Sequence, residues 1–561
     1  MAPPCVPGGS ALTWTKRVQC RASRYPVTEQ SAPPPPPPPP PPLPLRTCRP
    51  EPPLLPPATR GADLRKLAYC AAVGASVWLL PPPHGVAPAA WRLFAVFLST
   101  ITGIILTPLP LGAVCLLGLC SAMLTGAIPP SAAFSAFASD LPWLVAAAFW
   151  LSGGFMRSGL GARIAYTIVS LFGSTTLGLT YSLVGAEALL APAIPSVAAR
   201  AGGLMLPITK ALCVACGSDS AAGTERRMGS FTLMACFLCT TVTSGMFITA
   251  CTANPLAISL AAQALDGAAI SWGRWALAGA VPGAVCLLSI PALLYLLDPP
   301  ELRDTPDAPA KAGPRRQLHS RTYPTRRRPQ AREELAKLGP FSGDEQLTAA
   351  ALGVTLALWV LGGPLGVSAV AATLTGLAIL LVSGVVTWKQ CLADHQALDT
   401  VIWFGVLMTM SSQLNTLGLI PWLQPVRLRD AAPQPAAQVV KHVGGLGLGW
   451  RSSFVIILAA YFYSHHVFAS SSAHVGAMYQ AFLAAAVACG TPGLVAALAL
   501  GQLSSPMGCL TTNGTGSAPA YYAAGYVTHA QWYRHGAACA AFCLAVWLLA
   551  GATWWRVCGI W

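Results

Sequence analysis

"SSAHVGAMYQAFLAAAVACGTPGLVAALALGQLSSPMGCLTTNGTGSAPAYYAAGYV", Ser471 to Val527, has the apolar content of a membrane-embedded segment, yet small polar clusters interrupt it. The first is Ser470-Ser471-Ser472. The second runs from Thr511 and Thr512 through Asn513, Gly514, Thr515, Gly516 and Ser517 to Pro519. Backbone that leaves the helix at membrane depth carries unpaired N–H and C=O groups, each costly in lipid, and persists only where it lines a cavity within the protein. The clusters are therefore expected to mark a ligand site, and the first half of the chain holds a counterpart for each.

Composition places the stretch in a polytopic membrane protein. The 561 residues are 54% hydrophobic and 9% charged, whereas soluble domains are roughly one quarter charged. Apolar segments of about 17 to 25 residues, the length that crosses a hydrocarbon core, recur from residue 62 onward, and none has the two-residue alternation of a transmembrane barrel. Spans are expected at about 64–80, 90–106, 109–124, 139–161 and 275–297. The cysteines are scattered among them. The C-x-x-C spacings at Cys213/Cys216 and Cys236/Cys239 have no supporting histidine and read as small-residue helix packing, so no metal or other cofactor is expected.

The net charge of +15 is unevenly distributed. Residues 1–60 combine an acid-poor leader (Lys16, Arg17, Arg21, Arg24, Arg46 and Arg49 against Glu29) with a proline run from Pro33 to Pro42, and read as a disordered transit peptide and linker. Membrane halves are expected at 62–298 and 346–561, joined by a basic hydrophilic loop at 299–345. Its Arg326, Arg327 and Arg328 triplet and neighbouring cations fit a topology signal. With Tyr323 as the aromatic of that patch, a nucleic-acid partner is not expected.

The halves repeat. Asp140, Trp143 and Gly159-Leu160 in one answer to Asp399, Trp403 and Gly418-Leu419 in the other, with the same separation from Asp to Gly. Residues 180–205 contain Pro192, Pro195, Glu187 and Arg200 and are expected to form a re-entrant hairpin with its tip near Glu187-Ala188; the counterpart is Ser470 to His474. "TACTANPLA", 249–257, stops a helix at Thr252, Ala253, Asn254 and Pro255, opposite Thr511-Thr512-Asn513. Paired hairpins and broken helices in two all-α repeats, roughly 88–298 and 346–556, are the pattern of a secondary transporter with its site at the midplane; an odd number of spans between matched elements makes the repeats inverted. Half-helix N-termini offer N–H groups and partial positive charge, which suits anions. Two termini related by a pseudo-two-fold fit a dicarboxylate better than a sugar or amine, and fit sulfate as well. An intramembrane hydrolase would need Ser471 with His474, or Ser517 with His465, but no G-x-S-x-G elbow is present, so enzyme chemistry is not expected.

"YSLVGAEALLAPAIPSVAARAGG", "LCVACGS", "TANPL", "VTWKQCLA", "YFYSHHVFAS", "SAHVGAMYQAFLA" and "GSAPAYY" resemble the plastid dicarboxylate translocators of the 2-oxoglutarate/malate type, within the divalent anion:sodium symporter superfamily. The resemblance implies a scaffold domain that forms a homodimer, a transport domain moving as an elevator, and exchange of dicarboxylates across the plastid inner envelope, with lipid the other partner. It also implies a substrate site at Glu187-Ala188 and Ser470-Ser471-Ser472 on the hairpin tips, with His474 on the second hairpin. The remaining site residues it implies are Thr252, Ala253, Asn254 and Pro255 at one break, and Thr511, Thr512, Asn513, Gly516, Ser517 and Pro519 at the other. Glu187-Ala188 stands where sodium-coupled relatives carry Asn-Thr, and so lacks the oxygens of a sodium site. The alternative is a sodium-coupled dicarboxylate or sulfate symporter. A carboxylate at bilayer depth is costly unless paired; the expected partners of Glu187 are Arg200 or His474, the alternative role being a helix cap.

Overall fold

Paired backbone is what lipid demands, and helices provide it throughout the computed structural model, which describes residues 61–265, 270–305, 330–362, 365–419 and 449–561. Among these no strand occurs beyond an isolated antiparallel bridge between Thr175 and Asp304. Six of the described helices are long and apolar enough to cross a membrane. The expected leader and linker, 1–60, lie outside the described residues, as does the middle of the basic loop.

Among the described residues one order of elements recurs, save that Leu160–Phe172 has no described counterpart in the second pass. After a preceding helix, Leu64–Leu79, the first pass is Pro88–Leu106, Leu111–Leu124, a short link, Asp140–Ser158, Leu160–Phe172, a helical hairpin, a broken helix and Trp272–Leu297. The second is Gly343–Leu361, Ala369–Val382, the short Trp388–Leu392, His395–Thr416, a hairpin, a broken helix and His529–Val546. Gly159 and Gly418 close the matched helices with φ of 81° and 84°, a left-handed conformation that glycine adopts without a Cβ clash. Asp140 opens its helix, whereas Asp399 lies one turn inside His395–Thr416.

The expected tip of the first hairpin is corrected by the structure. Thr176–Leu190 continues unbroken through Glu187 and Ala188, and the chain turns only over 191–197 before helical structure resumes at Ala198. Alanine and leucine around Glu187 favour helix, and the stop comes from Pro192 and Pro195, which cannot donate the next backbone hydrogen bonds. The second hairpin pairs Trp450–Tyr463 with Ser471–Ala488 and turns over 464–470.

Gly229–Met246 is buried along its whole length, packed among Thr176–Leu190, Trp272–Leu297 and the one-turn segment Pro506–Leu510. A helix apolar on every side belongs in such a centre. The helices Leu111–Leu124, Asp140–Ser158 and His395–Thr416 form another packed group. His395–Thr416 meets the broken and hairpin helices through neutral polar side chains. Ser411 Oγ donates to Gln480 Oε1 at 2.6 Å, Gln480 Nε2 to Gln263 Oε1 at 3.2 Å, and Asn415 Nδ2 to the Gln263 carbonyl at 3.3 Å.

Both ends of the basic segment are built into the fold. The Thr176 N–H donates to the Arg303 carbonyl at 2.9 Å. At the far end Arg163 holds Glu345 Oε1 at 2.6 Å and the carbonyls of Leu338, Gly339 and Pro340. Glu345 also closes a capping box with Ser342, so the next helix begins at Gly343, slightly before the expected boundary.

Candidate functional site

The two hairpin turns and the two helix breaks converge on one cavity of about 220 Å³. The first turn supplies Pro195, Ser196, Val197 and Ala198, and the first break Cys251 and Thr252. The second hairpin supplies Ser470, Ser471 and Ser472, and the second break Thr515 and Gly516. The facing wall is Gln396, Asp399, Thr400 and Trp403 of His395–Thr416, with Leu111 and Phe149. The lining holds one carboxylate, Asp399, and no Lys, Arg or His.

An anion there would be met by hydroxyls and backbone N–H groups. Thr252 precedes the helix Ala253–Ala264, Ser470 precedes Ser471–Ala488 and Ser517 precedes Ala518–Ala523. Hydroxyl and carboxylate residues at such positions ordinarily bond the first-turn N–H groups, as Asp63, Thr175, Ser271, Ser342, Ser368, Asp394 and Thr528 do elsewhere in this chain. Thr252, Ser470 and Ser517 make no such bond. Thr252 Oγ1 and Ser472 Oγ instead meet at 2.9 Å, joining the first break to the second hairpin. After Thr252 and Ser517 the N–H groups of Asn254 and Ala518 already bond the Cys251 and Thr515 carbonyls, and Pro255 and Pro519 have none, so the ready anion cradle is the first turn of Ser471–Ala488. Ser472→Ala, which removes that bridge, is expected to weaken the apparent affinity for the transported anion about two- to tenfold, the range of one neutral hydrogen bond. The concentration dependence of uptake checks it; an unaltered KM would detach the bridge from binding.

The breaks are held open by groups behind the cavity. Asn254 Nδ2 donates to the Ser244 and Phe247 carbonyls at 2.7 and 2.8 Å, occupying acceptors that the interruption of the helix releases. Ala253 and Pro255, both buried, start the next helix. Thr249 Oγ1 donates to the Pro192 carbonyl at 2.7 Å and so ties break to hairpin turn. At the second break His465 Nε2 lies 2.8 Å from the Gly514 carbonyl.

Glu187 is not in the cavity. It is buried beside Arg200, whose Nε donates to its Oε1 at 2.8 Å, while Thr243 Oγ1 donates to the same oxygen at 3.2 Å. The other guanidinium nitrogens donate to the carbonyls of Ile194 and Ala250 and to Ser244 Oγ. Of the two expected partners Arg200 makes the pair. His474 Nε2 instead meets Ser464 Oγ at 2.7 Å, its ring packed on Tyr461 and Phe468.

Of the expected site residues, then, Thr252, Ser470, Ser471, Ser472 and Gly516 line the cavity. Glu187, Ala188, Ala253, Asn254, Pro255 and His474 stand behind it. Thr511 and Ser517 are buried with hydroxyls that no hydrogen bond engages, Thr512 is half-buried, and Asn513 and Pro519 are exposed. Thr515, expected as part of its polar cluster, joins the lining, whereas Ser196, Cys251 and the face Gln396, Asp399, Thr400 and Trp403 were not expected. A serine between Pro195 and Val197 was the available signal for the true turn, since serine after a helix breaker marks a new helix start. Asp399 and Trp403 stood out only as repeat markers.

Comparison with known proteins bears on the whole of this architecture. The sodium:sulfate symporter transmembrane region family matches residues 62–561. Dicarboxylate transporter 1, chloroplastic, of Spinacia oleracea is 48% identical over 502 residues, covering 90% of this chain and 83% of its own. The putative malate transporter YflS of Bacillus subtilis (strain 168) is 40% identical over 495 residues, covering 88% and 96%. The crystal structure of the Alcanivorax borkumensis YdaH transporter aligns with a TM-score of 0.45 at 14% identity, over 88% of this chain and 96% of that one. With the match running from residue 62 to the last residue, and relatives of this identity spanning about nine-tenths of its length, the chain belongs to the sodium:sulfate symporter transmembrane family.

Proposed function

We propose that the protein exchanges C4 and C5 dicarboxylates, malate and 2-oxoglutarate among them, across the inner envelope membrane of a plastid. The observation that carries this reading is the N-terminus of Ser471–Ala488, uncapped by any side chain and opening, with the hydroxyls of Ser470, Ser471, Ser472 and Thr252, on a cavity without lysine, arginine or histidine. That terminus presents about half a positive charge, and hydroxyls from both repeats complete the cradle for an anion. The names and identity of the relatives, chloroplastic dicarboxylate transporters at 48%, support the same substrate class and compartment. Hairpins and broken helices move past His395–Thr416 in the manner of an elevator, in a homodimer whose mass in detergent tests that assembly. The leader directs import, tested by cleavage of residues 1–60 in isolated plastids.

Arg200 bears on coupling. Its guanidinium is held by two carbonyl oxygens, a hydroxyl and the Glu187 carboxylate, a set of oxygens suited to a cation, and it binds hairpin turn to broken helix as a bound ion would. A tethered cation makes a mobile one unnecessary at that place. Labelled malate should therefore enter malate-loaded proteoliposomes equally well in sodium and in potassium media, with 2-oxoglutarate competing better than sulfate or citrate. Uptake that requires sodium would favour the symporter alternative, and sulfate as the best competitor would overturn the dicarboxylate reading.

A further inference from the structure

We propose that Asp399, assisted by Gln396, is an electrostatic latch that holds the unloaded carrier against His395–Thr416 and so suppresses movement of the empty site; this rests on the exchange reading above. Gln396 and Asp399 are three residues apart on one helix and therefore neighbours on one face. Both line the cavity opposite the hairpin turns. Gln396 already bridges it, because Ser196 Oγ of the first turn donates to Gln396 Oε1 at 3.3 Å while accepting the Ala199 N–H at 3.1 Å.

The place of Asp399 is fixed independently of any cargo. Its carboxylate packs against Gly112, at the start of Leu111–Leu124. The two are so close that a Cβ on Gly112 would lie 2.2 Å from Asp399 Oδ1. It is thus a carboxylate anchored on a helix outside the hairpins, facing a cavity whose far wall begins half-helices at Thr252 and Ser470.

Charge dictates the rest. In the empty carrier the first-turn N–H groups of Ser471–Ala488 have no anion, and Asp399 is the negative group in the lining across the cavity, so the two walls attract. A bound dianion takes the same N–H groups and presents like charge to Asp399, which turns attraction into repulsion and lets the walls part. A loaded site crosses and an empty one is retained, which is the condition for exchange rather than one-way transport.

The full chain in proteoliposomes tests this, with labelled malate supplied to vesicles that are malate-loaded or empty. Asp399→Asn keeps the shape that packs on Gly112 but removes the charge, and is expected to raise the ratio of empty-vesicle to loaded-vesicle uptake about fivefold. Gln396→Ala should raise it about twofold, and Asp399→Glu, which retains the charge, should keep it low. Asp399→Ser, smaller and also uncharged, replaces the asparagine variant should that one not fold. An unchanged ratio in the uncharged variant overturns the latch alone, as does loss of both rates in a monodisperse variant, which would leave Asp399 a packing residue. Wild-type protein that fills loaded and empty vesicles equally overturns the exchange reading, and the latch with it.

Discussion

Arg200→Ala is expected to leave little folded carrier. Arg200 has no exposed surface and Glu187 almost none, and the guanidinium serves four acceptors at once: Glu187 Oε1, the carbonyls of Ile194 and Ala250, and Ser244 Oγ. Truncation strands a carboxylate in the protein interior and unties the first hairpin from the first break. Breaking a buried pair by removing one partner costs about 3 to 5 kcal/mol, a large share of a total stability of about 5 to 15 kcal/mol. Glu187→Gln should be milder, since an amide oxygen still accepts from Arg200 and Thr243. The double variant Glu187→Gln/Arg200→Gln should recover part of the loss, because an uncharged pair leaves no lone ion. The apparent melting temperature in detergent, read with malate exchange, decides it. Wild-type values for Arg200→Ala would show the pair to be dispensable.

Gly245→Val is expected to be equally damaging by a steric route. Gly245 lies near the end of Gly229–Met246, the helix before the first break, where it crosses Gly493–Leu503, the helix before the second, and an added Cβ would meet the backbone carbonyl of Gln502 at 2.4 Å and Pro506 at 3.3 Å. Backbone cannot rotate aside as a side chain can, so the helices must separate. That shift also disturbs Gln502, which donates to the Trp275 carbonyl and accepts from Trp547 Nε1. Overpacking costs about 1 to 3 kcal/mol even where repacking is possible. Gly273→Ala is the control: its Cβ meets nothing within 4 Å and replaces glycine in a helix with a better helix former. Full exchange by Gly245→Val would mean that the crossing is looser than described.

What the sequence revealed and what it hid follow from the same physics. Ser470-Ser471-Ser472 and Thr252 were legible because small polar residues inside apolar segments have little reason to be there except a cavity. Glu187 misled because a charge in a membrane segment draws attention, yet it is the prolines at 192 and 195 that end the helix. Thr512, Asn513 and Pro519 show the limit of composition, since a polar cluster announces that a helix stops without saying which side chains face inward. Gln396 and Asp399 were hidden for another reason: their role depends on which helix stands across the cavity, and that is decided by packing between segments far apart in the chain.

The contact of His395–Thr416 with Gln263 and Gln480 has a mechanical meaning. Two surfaces that shear past each other in lipid must break their polar contacts with no water at hand to replace them. An amide is donor and acceptor at once and carries no net charge, so Gln263, Gln480 and Asn415 can trade one partner for the next without stranding an ion. A ladder of lysine and glutamate would grip at one register and resist every other. In the elevator movement proposed above, neutral amides would give the face low friction along its length and leave charge at the cavity to decide when it moves.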